Sequence, residues 1–298
     1  MPGNLARTHG RRRGLRPHGC ALCAVALAAA ALASVSFSAP RAEVSWRDLE
    51  GRIQYSYYTE DAPALRSLAE TVALDESRDR LHGYYAGLVA WRLAQLAAQG
   101  PGAVRGASAA HLARRCVGEL DATLAAATDF AEGLALRAAC LATEADTAHA
   151  GHAARGARRD IGRALRLACL ATEADTAHAG HAARGARRDI GRALRLAARN
   201  PRVLLIDAMS DYQLAPERGG DKERALAKLR QAVAAFELER AGTEQLPGWG
   251  AAEAYLLLAR DLLDHGEALG ARDALEHALL IAPDYAQARR LMAQILSG

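Results

Sequence analysis

Residues 252–285 read AEAYLLLARDLLDHGEALGARDALEHALLIAPDY. Two stretches within them carry apolar or small side chains three and four residues apart, the spacing of one helical face. Tyr255, Leu258, Ala259 and Leu262 form the first face, and Ala271, Leu275 and Ala278 the second. The alanines allow two antiparallel helices to approach closely, while Tyr255, Leu258, Leu262 and Leu275 fill the space between this pair and the next. Gly266 ends the first helix, and Pro283, which cannot continue the second, opens the next segment. One such pair cannot bury its apolar surface alone, so the spacing predicts an array of stacked pairs.

The flanking sequence extends this reading. Ala286–Leu296 predicts a lone terminal helix that caps the array. Upstream, Asn200-Pro201 opens a helix to Leu214, a Pro216 and Gly219-Gly220 loop follows, and Lys222–Arg240 predicts another helix before the Gly- and Pro-containing linker 242–250. Further back, helices are expected over Trp46–Tyr57, Pro63–Leu74 (with Asp61 as N-cap), Arg80–Ala98, Ser108–Ala126 and Asp129–Ala150. No window alternates β-branched residues with period two, and strong helix formers dominate the composition, so the fold class is all-α.

The unit 252–285 resembles the tetratricopeptide repeat family. With Ala252 as its first residue, Tyr255, Leu258, Ala259, Leu262, Ala271, Leu275, Ala278 and Pro283 occupy the family's eight signature positions without a gap. The order NPRVLL, GGDKE, PGWGAAEAYLLLA is similar to a group of exported bacterial tetratricopeptide proteins. Elsewhere the resemblance is one of outline: Leu205, Ala208, Met209 and Tyr212 fit a first helix, and Ala225, Leu229 and Ala232 a second. The resemblance implies an α-solenoid of antiparallel helix pairs that binds a protein or peptide in a concave groove lined by first helices. The groove positions it assigns are Glu253, Leu256, Arg260 and Leu263, joined by Gln287 and Arg290 on the last helix.

In the middle of the chain, residues 140–168 and 169–197 are the same 29 residues, CLATEADTAHAGHAARGARRDIGRALRLA, without a difference. Structural repeats keep a pattern and lose identity, so this is a copied segment and not a family unit. Turned as helix, 29 residues advance about eight full turns plus 20°, which would leave the flanking faces in phase. Gly151, Gly156, Gly180 and Gly185 are the expected bends, giving helices over 155–179 and 184–199.

The N-terminal 42 residues read as a targeting segment. Arg7, Arg11, Arg12, Arg13 and Arg16 precede an uncharged apolar run from Cys20 to Ala33, then the small residues of 34–42. That order predicts a secretory signal peptide cleaved between residues 39 and 43, and the run is shorter than the roughly 18 residues that span a bilayer. Removing it takes away six Arg and no acid, leaving 32 basic against 34 acidic side chains. A mature charge near −2 gives no argument for nucleic acid or anionic lipid. The expected organisation is a signal peptide (1–42), N-terminal helical pairs (43–127), a helical region holding the duplication (128–199) and C-terminal repeats with a cap (200–298).

Candidate chemistry is sparse. His149 with His152, and His178 with His181, are i, i+3 pairs without a third ligand nearby, so no metal site is expected. GxSxG, HExxH and P-loop motifs are absent, and neither catalysis nor a cofactor is expected. The run Arg155, Arg158, Arg159, Arg163 and Arg166, repeated 29 residues on, reads as a solvated helix face. Of Cys116, Cys140 and Cys169, a bridge between the first two is open, beside the reading of all three as small buried hydrophobes. The sequence thus points to a periplasmic or secreted scaffold for an unidentified protein or peptide, with no nucleic acid and no stable membrane insertion after cleavage. The alternative is a small-molecule-binding accessory of an envelope transporter or enzyme, with a pocket near Trp249, Tyr255 and Tyr212.

Overall fold

The computed structural model describes residues 45–75, 79–100, 108–156, 165–214, 219–240 and 247–297, and within them all side chains except those of 148–156, 165–176 and 240. The proposed signal peptide and most of the first copy's arginines therefore lie outside the described residues.

Eleven helices and no strand occur among the described residues. They are α1 Trp46–Tyr58, α2 Ala62–Leu74, α3 Arg80–Gln99, α4 Ala109–Ala126, α5 Ala131–Gly156, α6 Leu165–Leu196, α7 Pro201–Gln213, α8 Lys222–Arg240, α9 Ala251–Asp264, α10 Ala268–Ile281 and α11 Ala286–Ser297. Side-chain caps fix where several begin, because the first turn of a helix leaves backbone N–H groups without partners. Asp61 accepts from Ala64 N, Asp79 from His82 N and Ser108 from His111 N. Asn200 accepts from Arg202 N and Val203 N, with Pro201 at the first helical position. At α9 the device differs: Gly250 sits at φ 115°, and a Cβ there would lie 2.7 Å from Phe236 Cζ. Only glycine combines that backbone with that approach.

Each odd-numbered helix packs against the even-numbered helix that follows it, and α1, α3, α5, α7 and α9 touch one another in succession. This is the stacked-pair arrangement of a helical repeat. In the unit that anchors the sequence reading, Tyr255, Leu258, Ala259, Leu262, Ala271, Leu275 and Ala278 are all buried, and exposed Pro283 follows α10.

The duplicated region departs from the expectation. Helix α5 runs through Gly151 to Gly156, and α6 runs from 165 to 196 through Gly180 and Gly185 without a break. Gly185 serves close packing instead of bending, since a Cβ there would stand 3.1 Å from Leu141 Cδ1 on α5. The described part of the first copy is mostly on α5, the second is almost all on α6, and the two helices pack against each other. Residues 131–196 make a pair twice as long as 251–281, and removing 29 of them would give a length between those of the last two pairs. The core is served accordingly by the start of the first copy (Cys140, Leu141, Ala145) and the end of the second (Ala182, Ala186, Ile190, Ala193).

Cys116 on α4 and Cys140 on α5 are joined in a disulfide with Cα atoms 6.1 Å apart. Of the two readings open for these cysteines, the bridge is the one present, because α4 and α5 bring both thiols into one fully buried layer.

Candidate functional site

Two adjoining cavities, of about 270 and 70 Å³, run along the middle of the array. Every lining residue comes from an odd-numbered helix or the segment leading into one. Tyr57 (α1), Trp91 and Gln95 (α3), Met209 and Gln213 (α7), Arg260 (α9) and Gln287 (α11) line both. The larger also receives Gln99, Thr143, Thr147 and Ser210. The lining is therefore aromatic at its base and rich in side-chain amides and hydroxyls, groups that both donate and accept.

The floor is a buried ion pair. Arg92 lies within the apolar stretch AGLVAWRLAQLAA of α3 and is 1% exposed. Its guanidinium donates to Glu253, to Gln54 Oε1 (3.2 Å) and to Gln95 Oε1 (3.0 Å). It also lies over the rings of Tyr57, Trp91 and Trp249 at 4.1, 4.8 and 4.8 Å, a cation–π cage. Glu253 accepts in addition from Tyr58 Oη at 2.7 Å. Burial of the Arg92 guanidinium is the largest single influence and works against its charge, but Glu253 together with the Tyr57, Tyr58 and Tyr285 hydroxyls outweighs it and the pKa is raised. Burial likewise pushes the Tyr57 and Tyr58 phenols up, so both stay protonated donors across the physiological range.

These contacts also join the two ends of the array. Gly248 N donates to Glu50 Oε1 at 2.8 Å, and Tyr85 Oη to Glu50 Oε2 at 2.6 Å. Burial raises the Glu50 carboxyl, opposed by those two donors. Trp249 Nε1 donates to Tyr84 Oη at 2.7 Å, the Tyr58 and Tyr285 rings are 4.4 Å apart, and Arg290 pairs with Glu60. Helix α1 thus meets the segments bearing α9 and α11 through side chains roughly 200 residues away in sequence.

Of the six groove positions drawn from the sequence, Leu256, Arg260 and Gln287 line a cavity. Arg260 donates to Gln287 Oε1 at 2.9 Å and has no carboxylate partner among the described residues. Glu253 also reaches the smaller cavity, but as Arg92's buried partner and not as an open contact. Leu263 packs against the core, and Arg290 is held at the surface by Glu60, so neither lines these cavities. The aromatic trio proposed for a small-molecule pocket does not converge. Trp249 is in the floor, whereas Tyr255 Oη donates to Glu237 and Tyr212 Oη to Asp264. Sequence reasoning missed Arg92, Tyr57, Trp91, Gln95 and Gln213. A lone arginine inside an otherwise apolar helix was the signal for the first.

A third cavity of about 600 Å³ lies between α5, α6 and α7, walled by Ala142, Ala145, Ala183, Ile190 and Leu194 among others, and Asp207 and Asp211 at its edge are paired with Lys228. Among the described residues no cluster of three or more His, Cys, Asp or Glu is arranged to hold a metal. His178 Nε2 lies 2.8 Å from Glu144 and His181 is exposed, while the His149 and His152 side chains lie outside the described set. No described helix is long and apolar enough to cross a membrane.

No family model and no curated protein matches the chain. Among solved structures it is similar to a thermophilic TPR protein of Thermus thermophilus, at 16% identity and TM-score 0.50, over 85% of this chain and all of that one. It is also similar to the HusA haemophore from Porphyromonas gingivalis, at 16% identity and TM-score 0.49, over 75% and 96% of the two chains. The stacked pairs and the first of these likenesses define the fold as a tetratricopeptide-like helical repeat.

Proposed function

We propose that this chain is an exported helical-repeat scaffold without chemistry of its own, which holds an extended segment of another protein along its odd-numbered helices. The observation that carries this reading is the composition of the two central cavities. Gln99 and Gln213 present an amide donor and acceptor to a peptide backbone, and Gln95 and Gln287, whose oxygens accept from Arg92 and Arg260, present their amide donors, above an aromatic base. Arg260 adds a cation with no carboxylate of its own. Export rests on the basic, apolar and small-residue order of residues 1–42. Selection of peptides from a random display library, followed by hydrogen exchange of the complex, tests the reading. Protection confined to the odd-numbered helices supports it; protection on α4, α8 or α10, or no selected peptide, refutes it.

The cavity between α5, α6 and α7 favours a second reading, a small apolar ligand, since about 600 Å³ is within the range of ligand sites. Saturable binding of an apolar dye, abolished by Ala183→Phe with the peptide affinity unchanged, would assign it so.

A further inference from the structure

The near-zero charge of residues 43–298 conceals a strong local asymmetry. On α6, Arg184, Arg188, Arg192 and Arg195 are exposed and spaced four, four and three residues apart. At 100° per residue they fall within an arc of about 80°, and at 1.5 Å per residue they extend about 16 Å along the axis. Ala182, Ala186 and Ala193, which face the core, are on the opposite side of the helix. None of the four arginines forms a salt bridge among the described residues, although Arg188 lies close enough to its chain neighbour Asp189 to favour that carboxylate. The one acid of residues 177–199, Asp189, is taken by Arg137. Arg199 stands exposed in the turn just beyond the helix end. Elsewhere on this surface arginines are commonly paired, as Arg272 is with Glu276, Arg289 with Asp284 and Arg290 with Glu60.

We propose that this arginine row is a docking surface for anionic phospholipid, by which the scaffold is held at a membrane surface without inserting. The row lies on one helix and all four side chains are exposed, with only Arg184 also reaching the cavity between α5, α6 and α7, so it fits an extended charged plane better than a small ligand. Arginine near an anionic bilayer gains from the surface potential, and the gain fades within a Debye length. Two features favour lipid over nucleic acid. No Phe, Tyr or Trp occurs anywhere on α6, which removes base stacking. Leu196, beside Arg195, is 47% exposed and offers an apolar contact that a headgroup layer accommodates and a phosphodiester backbone does not. The row lies on α6, away from the central cavities, so a peptide and a bilayer would be engaged at once. The first copy repeats the spacing at Arg155, Arg159, Arg163 and Arg166 in sequence.

Vesicle co-sedimentation of the full chain tests this, comparing the wild type with the triple variant R188E/R192E/R195E. Both retain the N-terminal arginines, so those cancel in the comparison. Vesicles contain phosphatidylcholine with or without one-third phosphatidylglycerol, at 50 and 300 mM salt. The expected result is binding to phosphatidylglycerol vesicles at 50 mM salt that weakens at least tenfold in the triple variant and at 300 mM salt. Unchanged helicity by circular dichroism shows that the variant is folded, and R230E/R272E/R289E, at three exposed arginines that already have carboxylate partners, serves as a charge-matched control that leaves binding within twofold. Equal partitioning of wild type and triple variant, or of both vesicle types, overturns the proposal. So does triple-variant-sensitive binding of a 20-nucleotide RNA or DNA without vesicle binding, which would give the row to nucleic acid.

Discussion

Replacing Arg92 by methionine keeps most of its stacked volume but leaves Glu253 in the interior with its charge and one remaining donor, Tyr58 Oη. Removing one member of a buried, hydrogen-bonded pair typically costs about 3–5 kcal/mol, most of it the stranded charge. Loss of the guanidinium from between Tyr57, Trp91 and Trp249 adds about 1 kcal/mol. Gln54 and Gln95 lose a donor, but Gln95 is half-buried and can turn to water. Arg92→Met is therefore expected to lower unfolding free energy by about 5 kcal/mol, read from urea titrations followed by circular dichroism. Glu253→Leu strands the arginine instead and should cost a similar amount. The double variant removes both charges, so its loss should fall short of the sum of the single losses by at least about 2 kcal/mol. A single-variant loss under about 1 kcal/mol, or additive losses, would refute the claim that this pair joins the ends of the array.

Other consequences are measurable on the same protein. Deleting residues 148–176 yields the same sequence as deleting either copy. The shortened chain should stay folded within about 2 kcal/mol, because the core residues Cys140, Leu141, Ala145, Ala182, Ala186, Ile190 and Ala193 are all retained, and peptide mapping should still find Cys116 bridged to Cys140. Reducing that bridge, which closes a loop of 24 residues, should lower stability by about 3 kcal/mol in a thermal melt with and without reductant. Asp261 is fully buried, neither of its oxygens has a hydrogen-bond partner, and burial raises its carboxyl pKa despite His265 Nδ1 at 3.6 Å. A carboxyl whose folded pKa is raised contributes most below its unfolded value near 3.8 and loses that contribution as pH rises through the folded value. Asp261→Asn is thus expected to raise stability at pH 7 by about 1 kcal/mol and to leave it unchanged at pH 3; an equal melting shift at both pH values would contradict this.

Much of the architecture was legible because local spacing encodes it. The alanines at 259, 271 and 278 set interhelical distance, and Asp61, Asn200, Gly266 and Pro283 mark helix ends by chemistry that acts over three or four residues. The hairpin of α5 and α6 was not legible, because a glycine in sequence does not declare whether it bends a helix or admits a neighbour. Gly185 does the latter, against Leu141. The site was half legible for a related reason. Leu256, Arg260 and Gln287 follow from the phase of α9 and α11, whereas Tyr57, Trp91 and Arg92 reach the same cavities from far upstream. Periodicity holds no information about partners 160 or more residues away. The arginine row was hidden by averaging: a near-neutral total says nothing about how charge is distributed over one helix.

The most direct test of the scaffold account is the affinity of a library-selected peptide for the wild type and for Gln213→Leu and Arg260→Leu, two cavity-lining side chains whose loss leaves no buried charge behind. The account predicts that each variant weakens binding at least tenfold while its melting temperature stays within about 3 °C of the wild type, a shift worth roughly 1 kcal/mol. Wild-type affinity retained in both variants would contradict it.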